Sequence, residues 1–282
     1  MKFAVHLSIF TKNWGDDLSP LIFLAKEIGY DGCELPILNP YELDIQPIKK
    51  AIKETGLVPL CSTGLNLEND ISSTDEAIRN KGIDFLKKCI DIAYEIGSHY
   101  LNGLTYSPWG LLQSKETGAL NIKCIENSLR TVADYAMSKD VLLNLEVVNR
   151  YETYVINTVS EAIDLISKVN HPNLGIHYDT YHANIEEKSQ YDAIKLGGKA
   201  IKHVHFASNY RGTPGEGSID FFQISKALKE INYNHFISLE NAVEPNCEVG
   251  NGFNIWRPLD IDGLTAAKKG LEAMKKIMSL EE

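Results

Sequence analysis

The segment VLLNLE, Val141–Glu146, is the first of four apolar runs that carry a metal-binding side chain at or near their end. The other three are LGIHYD with Asp179, IKHVHF with His205 and HFISLE with Glu240. These four side chains stand 26 to 35 positions apart, which leaves room for one helix and two loops between successive runs. Near-continuous apolar runs are typical of parallel strands that are covered on both faces. The four runs therefore predict four consecutive βα units.

The rest of the chain continues this alternation of short β-rich runs with amphipathic stretches. Eight strands are predicted, at Lys2–Ile9, Tyr30–Leu35, Leu57–Gly64, His99–Leu104, Val141–Glu146, Leu174–Asp179, Ile201–His205 and His235–Glu240. Helices are predicted at Asp16–Gly29, Asp44–Gly56, Thr74–Gly97, Asn121–Ser138, Thr158–Val169, Ser189–Lys199, Ser218–Ile231 and Asp262–Met278. Eight βα units predict an α/β fold, a (β/α)₈ TIM barrel that forms one domain over residues 1–282, because such barrels commonly have this length.

The bulk composition excludes several other classes of protein. A formal net charge of −10 disfavours binding to a phosphate backbone, so we expect no nucleic-acid partner. No apolar run approaches the roughly 20 residues that cross a bilayer, and the apolar start of the chain lacks a small-residue cleavage site. We therefore expect neither a membrane span nor export. Five cysteines without a CxxC pair favour reduced thiols in the cytoplasm over a disulfide framework.

Glu146, Asp179, His205 and Glu240 are predicted to bind one metal ion. Functional side chains of a TIM barrel lie at the carboxyl ends of its strands, and successive strands are neighbours. Three carboxylates and one imidazole favour Mn²⁺, Mg²⁺ or Co²⁺, whereas thiolate-rich sites favour structural zinc. Each residue taken singly has a simpler interpretation, as a helix cap, a loop carboxylate or a hydrogen-bonded core histidine. Their serial placement favours the metal site, and His203, on the same face as His205 but deeper, is the second-choice ligand.

Several motifs resemble one known family. They are LEVVNRYETYVINT from Leu145, DTYHANIEE from Asp179, HFASNYRGTPGEG from His205, GYDGCEL from Gly29, GLTYSPW from Gly103 and IWRPL from Ile255. They resemble the ketose 3-epimerases of the D-tagatose and D-allulose (psicose) type, in the xylose isomerase-like TIM barrel superfamily, over nearly the whole chain.

The resemblance implies a Mn²⁺ or Co²⁺ site made of the four ligands already named. It also implies that Glu152, His182 and Arg211 hold the first three oxygens of a ketose, and that the protein is a homodimer or homotetramer. Without the resemblance, these three side chains would be interpreted as a helix-start carboxylate, a loop histidine packed on Tyr181 and a surface arginine.

Two positions depart from the family pattern. Ala207-Ser208 stands where relatives usually have Gly-Glu, and His6 stands where they tend to have an aromatic residue that lines the pocket. Both departures bear on the preferred sugar, and neither changes the predicted ligands. Trp14 and Trp109 follow the first and fourth strands, where an indole face can cover the C–H surface of a sugar.

The resemblance implies that these residues perform epimerisation at C3 of a ketose. A proton next to the carbonyl is removed and returned to the opposite face, through an enediolate that a metal ion stabilises as a Lewis acid. Glu146 and Glu240 come from different strands, so they are predicted to flank the sugar as the acid/base pair. Glu34, which ends the second strand, is either an extra carboxylate beside the site or part of a structural salt bridge.

Four alternatives stay open from the sequence. An aldose–ketose isomerase or a 3-epimerase of a phosphorylated ketose would use the same barrel and the same metal chemistry. An endonuclease IV-like DNA repair enzyme would need further metal-binding His and Glu residues and a basic face, which this acidic chain does not favour. A non-catalytic sugar-binding module would have no need for two Glu residues beside the metal.

Overall fold

Eight parallel strands form a closed barrel. A computed structural model describes residues 1–112 and 118–280 of the chain. The strands pair in chain order, and the last strand pairs with the first. Their bounds are β1 Lys2–His6, β2 Gly32–Pro36, β3 Val58–Leu65, β4 Tyr100–Pro108, β5 Leu142–Val147, β6 Leu174–Asp179, β7 Ile201–Phe206 and β8 Phe236–Leu239. The predicted (β/α)₈ TIM barrel is confirmed.

Helices connect successive strands, and two more follow β8. They are α1 Ser19–Ile28, α2 Ile45–Thr55, α3 Glu76–Ile96, α4 Gly118–Ser138, α5 Val159–Val169, α6 Thr180–Glu186, α7 Gln190–Gly197, α8 Phe221–Glu230, α9 Glu248–Gly252 and α10 Gly263–Ser279. α1, α2 and α3 are followed by Gly29, Gly56 and Gly97 in the left-handed conformation. The helices end there because glycine adopts this conformation without steric cost. Among the described residues, no helix has the length and apolar character that a bilayer span requires.

Two strand ends differ from the prediction by more than two residues. β1 stops at His6, and Leu7–Phe10 form a 3-10 helix, because the amide of Thr11 bonds back to the carbonyl oxygen of Ser8 at 3.2 Å instead of joining the barrel. The fourth strand was predicted to end at Leu104 but extends to Pro108, which pairs with β3 after a register shift.

Two short helices, α6 and α9, were not predicted. α6 begins directly after β6, so no loop separates the end of the strand from the helix. α9 has five residues, too few to show a helical period in the sequence.

The barrel interior is only partly apolar. Ala4, Leu60 and Phe236 form a small buried apolar cluster towards the amino ends of the strands. Further along the strands lie polar side chains that are at most 1% exposed, and five of them we call the polar layer: Glu34, Asn102, Asn144, His177 and His203. Burying so many polar groups is tolerable only where they bond to one another or to a ligand.

Candidate metal centre and active site

The four predicted ligands meet at the carboxyl ends of four neighbouring strands. Glu146 lies on β5, Asp179 ends β6, His205 lies on β7 and Glu240 directly follows β8. One potential ligand atom from each residue lies within 4.8 Å of those of the other three. Donors that are up to 94 positions apart in the sequence therefore surround one point, as a shared cation requires.

His205 presents a nitrogen that fits a metal ion. Its Nε2 lies 3.0 Å from Oε2 of Glu34, so that side of the ring is used. Its Nδ1 is buried and makes no hydrogen bond, although a carboxylate oxygen of Glu240 lies 3.3 Å away. A buried nitrogen with no hydrogen bond, next to carboxylate oxygens, is the arrangement that a divalent cation with mixed oxygen and nitrogen ligands would complete.

Asp179 has two roles at once. Its Oδ1 accepts from the backbone amides of Tyr181 at 2.6 Å and His182 at 3.4 Å, which caps the start of α6. Its Oδ2 faces the cluster, 3.8 Å from Nδ1 of His205. The cap fixes the carboxylate, so the second oxygen is held in place without any metal bond.

Arg211 is buried within the cluster rather than exposed on the surface. Its side chain is 6% exposed. Its Nη1 lies 3.0 Å from Oδ2 of Asp179 and also donates to Glu240. The guanidinium stacks on the ring of Tyr181 at 4.2 Å. Arg211 adopts φ 64°, in the left-handed region that side chains seldom occupy, and its amide bonds to the carbonyl of Ser208 at 3.0 Å, which helps to hold that turn.

His182 and Arg211 place two donors side by side. The backbone amide and the side-chain nitrogen of Asn149 lie 3.2 and 2.8 Å from Nδ1 of His182, so Nδ1 is an acceptor and the proton of the neutral ring is on Nε2. That Nε2 lies 2.9 Å from Nη2 of Arg211, itself a donor. Two adjacent N–H donors without an acceptor between them can both bond to one oxygen of a bound molecule.

The pKa values of the two predicted acid/base carboxylates are shifted in opposite directions. Burial and the nearby charge of Glu240 raise the pKa of Glu146 well above its usual value. Burial acts in the same direction on Glu240, but Arg211 and His205 outweigh it and hold the pKa of Glu240 well below its usual value. Burial raises the pKa of Asp179 to about 6 against the pull of Arg211. Neighbouring carboxyl groups whose pKa values are driven apart can serve as an acid and a base.

A pocket opens over this cluster. It encloses about 620 Å³, including its open mouth. The indoles of Trp14 and Trp109 both line it and meet the ring of Phe253 edge-on, at 5.8 and 6.2 Å between centroids. Glu152 lines the same wall and accepts a hydrogen bond from the indole nitrogen of Trp109.

The structure brings nearly all predicted site residues to this pocket. The lining includes His6, Trp14, Trp109, Glu146, Glu152, His182, His205, Arg211 and Glu240. Asp179 is fully buried and contacts the pocket through Arg211. His6 is held by two hydroxyls, with Nδ1 2.6 Å from Oγ of Ser8 and Nε2 2.8 Å from Oγ of Ser62.

The structure also shows one predicted residue outside the cluster of four and two pocket residues that the sequence did not predict. His203, the second-choice ligand, is absent from the cluster of four and lies with its Nε2 2.9 Å from Glu34. Ser62 and Phe253 line the pocket but were not predicted. Ser62 follows Leu60 at a spacing of two on β3, so the alternation of a strand could have found it. Phe253 follows the short helix α9, and no sequence pattern places that loop over the barrel.

Comparison with known proteins agrees with the fold. The family model for the xylose isomerase-like TIM barrel matches residues 22–277. The L-ribulose 3-epimerase of Methylomonas sp. is 34% identical over 98% of this chain and 97% of its own. The ketose 3-epimerase of Arthrobacter globiformis is 34% identical over 93% of this chain and 91% of its own. The crystal structure of a D-allulose 3-epimerase from Methylomonas sp. in complex with D-allulose superposes with a TM-score of 0.92, at 32% identity over 98% of this chain and 96% of that one.

Similarity at this level, over nearly the whole length of each relative, establishes the family. The chain belongs to the xylose isomerase-like TIM barrel family and, within it, to the ketose 3-epimerases, which are carbohydrate isomerases.

Proposed function

We propose that this protein is a metal-dependent ketose 3-epimerase that inverts C3 of a free ketohexose or ketopentose. The observation that carries the proposal is the convergence of Glu146, Asp179, His205 and Glu240 beneath a sugar-sized pocket, with a high pKa on one glutamate and a low pKa on another. The names of the relatives support both substrate classes, because L-ribulose is a ketopentose and D-allulose is a ketohexose.

The four clustered residues would hold the metal ion. When bound, a divalent cation supplies Lewis-acid stabilisation of negative charge that develops on the sugar oxygens. Three carboxylates and one imidazole favour Mn²⁺, with Co²⁺ or Mg²⁺ as alternatives.

Glu240 and Glu146 would move the proton. Glu240 is held ionised by Arg211 and His205, so it is the carboxylate ready to accept the C3 proton. Glu146, whose pKa is raised, is the group ready to supply a proton to the other face of the carbon. The roles exchange in the reverse direction, because the same two groups must serve both epimers.

Arg211 and His182 would bind the C2 oxygen. Their adjacent N–H groups, 2.9 Å apart, provide two donors where the enediolate concentrates its charge. Glu152, held by Trp109, would accept from the C1 hydroxyl. Trp14 and Trp109 would cover the apolar face of the sugar, and His6, which also lines the pocket, would contact it.

The charges of the pocket favour a free sugar over a sugar phosphate. Among the described residues that line the pocket, Arg211 is the single Lys or Arg side chain, and it is engaged by Asp179 and Glu240. A phosphate dianion would therefore have no free arginine or lysine to bind in this lining.

Two further expectations accompany the proposal. The five cysteines are free thiols, three of them buried, which supports a reducing environment such as the cytoplasm. We expect a homodimer or homotetramer, with no nucleic acid and no membrane as partners, and size-exclusion chromatography with light scattering would measure the assembly.

Isotope exchange tests the reaction. The Mn²⁺-loaded protein would be incubated with a panel of free ketoses in D₂O, with a chelator-treated sample as the control, and the products read by NMR. Deuterium at C3 together with an inverted hydroxyl is the expected result. Label at C1 or C2 with an aldose product would show an aldose–ketose isomerase, and sugar binding without any exchange would show a non-catalytic module.

A further inference from the structure

Glu34 is a carboxylate with no access to solvent, inside the barrel and next to the metal cluster. It comes from β2, whereas the two histidines that it bonds come from β7. Its Oε2 lies 2.9 Å from Nε2 of His203 and 3.0 Å from Nε2 of His205, and its Oε1 accepts from Nδ2 of Asn102 at 3.0 Å. Its side chain is 0% exposed, so these polar partners replace water completely.

The direction of these bonds fixes where the histidine protons lie. An ionised carboxylate only accepts hydrogen bonds, so each imidazole must carry a hydrogen on Nε2. A neutral imidazole has one N–H, and its other nitrogen then has a free lone pair. For His205, that nitrogen is Nδ1, which faces Glu240 at 3.3 Å and Asp179 at 3.8 Å and makes no hydrogen bond. The lone pair is directed at the position that a shared cation would occupy.

The carboxylate itself is held by a chain of amides. Nδ2 of Asn144 donates to Oδ1 of Asn102 at 2.8 Å, and Nδ2 of Asn102 donates to Glu34. Asn144 on β5 and Asn102 on β4 thus set the rotation of the carboxylate on β2. A side chain that is fixed in this way can in turn fix the ring that it binds.

We propose that Glu34 is a positioning residue of the metal centre, which locks His205 in the tautomer whose Nδ1 can bind the cation. The proposal rests on the metal site of the proposed function and assigns a role to a residue outside the four ligands. A carboxylate behind a ligating histidine both orients the ring and increases its basicity, and loss of such a partner weakens metal binding by about 10-fold to 100-fold. The competing interpretation is a buried ion pair that only stabilises the barrel.

Two substitutions separate orientation from charge. Glu34→Ala removes the acceptor of both imidazoles. Glu34→Gln keeps one oxygen that can accept from them, and its amide nitrogen would face Asn102. The amides of Asn102 and Asn144 can both reverse, because Oδ1 of Asn144 has no partner to lose. Oδ1 of Asn102 then accepts from the new amide, and Nδ2 of Asn102 donates to Oδ1 of Asn144. The orientation of His205 is therefore removed in the first variant and kept in the second.

Asp70→Asn is the matched control. Asp70 is another buried carboxylate, 7% exposed, whose Oδ1 accepts from the backbone amide of Ser72 at 2.7 Å. It does not line the pocket. Asp70→Asn should lower the thermal unfolding temperature without changing metal affinity. If the role of Glu34 were purely structural, the Glu34 variants would show this same result.

The experiment measures Mn²⁺ affinity by electron paramagnetic resonance of the free ion, with circular dichroism to verify folding. We expect about 10-fold to 100-fold weaker binding in Glu34→Ala, a smaller loss in Glu34→Gln and no change in Asp70→Asn. Unchanged affinity in Glu34→Ala, or equal losses in both Glu34 variants, would overturn the proposal. Absence of Mn²⁺ binding by the unaltered protein would instead refute the metal site, and with it this role.

A second readout covers the case in which Glu34→Ala does not fold. Burial lowers the pKa of His205, but Glu34 and Glu240 outweigh it and raise that pKa well above its usual value, so the ring is neutral only at alkaline pH. At such a pH, nitrogen-15 NMR of the histidine rings distinguishes the two neutral tautomers directly in the metal-free protein. The unaltered protein and Glu34→Gln should both show His205 with its hydrogen on Nε2. A hydrogen on Nδ1 of His205 in the unaltered protein would overturn the proposal without any variant.

Discussion

Replacement of Arg211 by alanine should separate turnover from metal binding. The guanidinium contributes two things to the site: an N–H beside Nε2 of His182, and a positive charge bonded to Asp179 and Glu240. Arg211→Ala removes both. The backbone at φ 64° is strained for arginine as it is for alanine, so the substitution adds no new strain of this kind.

The magnitude follows from what is lost. Removal of one preorganised donor to a developing oxyanion costs about 100-fold to 1000-fold in kcat, or about 2.7–4 kcal/mol. The metal should respond differently, because Arg211 occupies the same carboxylate oxygens that would bind a cation. Without it, Mn²⁺ should bind at least as tightly as in the unaltered protein. The metal-free protein should lose about 3 kcal/mol of stability, because Asp179 and Glu240 are left buried without their partner.

The assay combines steady-state kinetics on a ketose with Mn²⁺ titration of the same preparation. Arg211→Lys keeps the charge but not the planar guanidinium with its several N–H donors. Its kcat/KM should therefore lie between the values of the unaltered protein and Arg211→Ala. Arg150→Ala is the control for an ordinary arginine, since Arg150 is 61% exposed and pairs with Glu186, and its activity should stay within about twofold. An unchanged kcat/KM in Arg211→Ala, or a loss explained by weaker Mn²⁺ binding, would refute the reasoning.

Three further results are expected. Glu146→Gln and Glu240→Gln should each lower kcat by about 100-fold to 10,000-fold with retained folding, and near-normal turnover in either variant would remove that residue from proton transfer. His6→Phe removes the bond to Ser62, so the ratio of kcat/KM between a ketohexose and a ketopentose should change by about fivefold, and an unchanged ratio would exclude His6 from substrate selection. Mn²⁺ affinity of the unaltered protein should fall at least about tenfold per pH unit below about pH 6, because Asp179, with a pKa raised to about 6, and Glu146, whose pKa is also raised, then hold protons that the cation must displace; constant affinity between pH 5 and 7 would contradict this assignment.

The sequence predicted the barrel because its signals are local. Apolar runs, glycine stops and the spacing of metal-binding side chains repeat along the chain, and each βα unit can be identified without its neighbours. The convergence of Glu146, Asp179, His205 and Glu240 follows from strand order alone once the barrel is assumed. The sequence left Asp179 with two interpretations, a helix cap or a member of the metal-binding cluster. In the structure its Oδ1 caps the helix and its Oδ2 faces the cluster.

Other features depend on contacts that no local pattern contains. Glu34 meets His205 across the barrel, 171 positions away, so the sequence could not distinguish a salt bridge from a partner of the metal centre. Arg211 is turned into the site by a left-handed backbone that nothing in its neighbouring residues predicts. β1 ends early because Ser8 and Thr11 form a turn, although the residues there are as apolar as those of a strand.

The polar layer has a consequence for how this enzyme can change. Hydrogen bonds join Asn144 to Asn102 and Asn102 to Glu34 in a fixed order, so a single apolar replacement would remove a partner from its neighbours in the barrel. Variation in this layer is therefore expected as coordinated multiple substitutions, in natural relatives and in laboratory libraries alike. Loop residues such as Phe253 are not part of this hydrogen-bonded layer, so they can be replaced one at a time. New sugar preferences should therefore arise from single substitutions at the mouth of the pocket, while the polar layer stays constant.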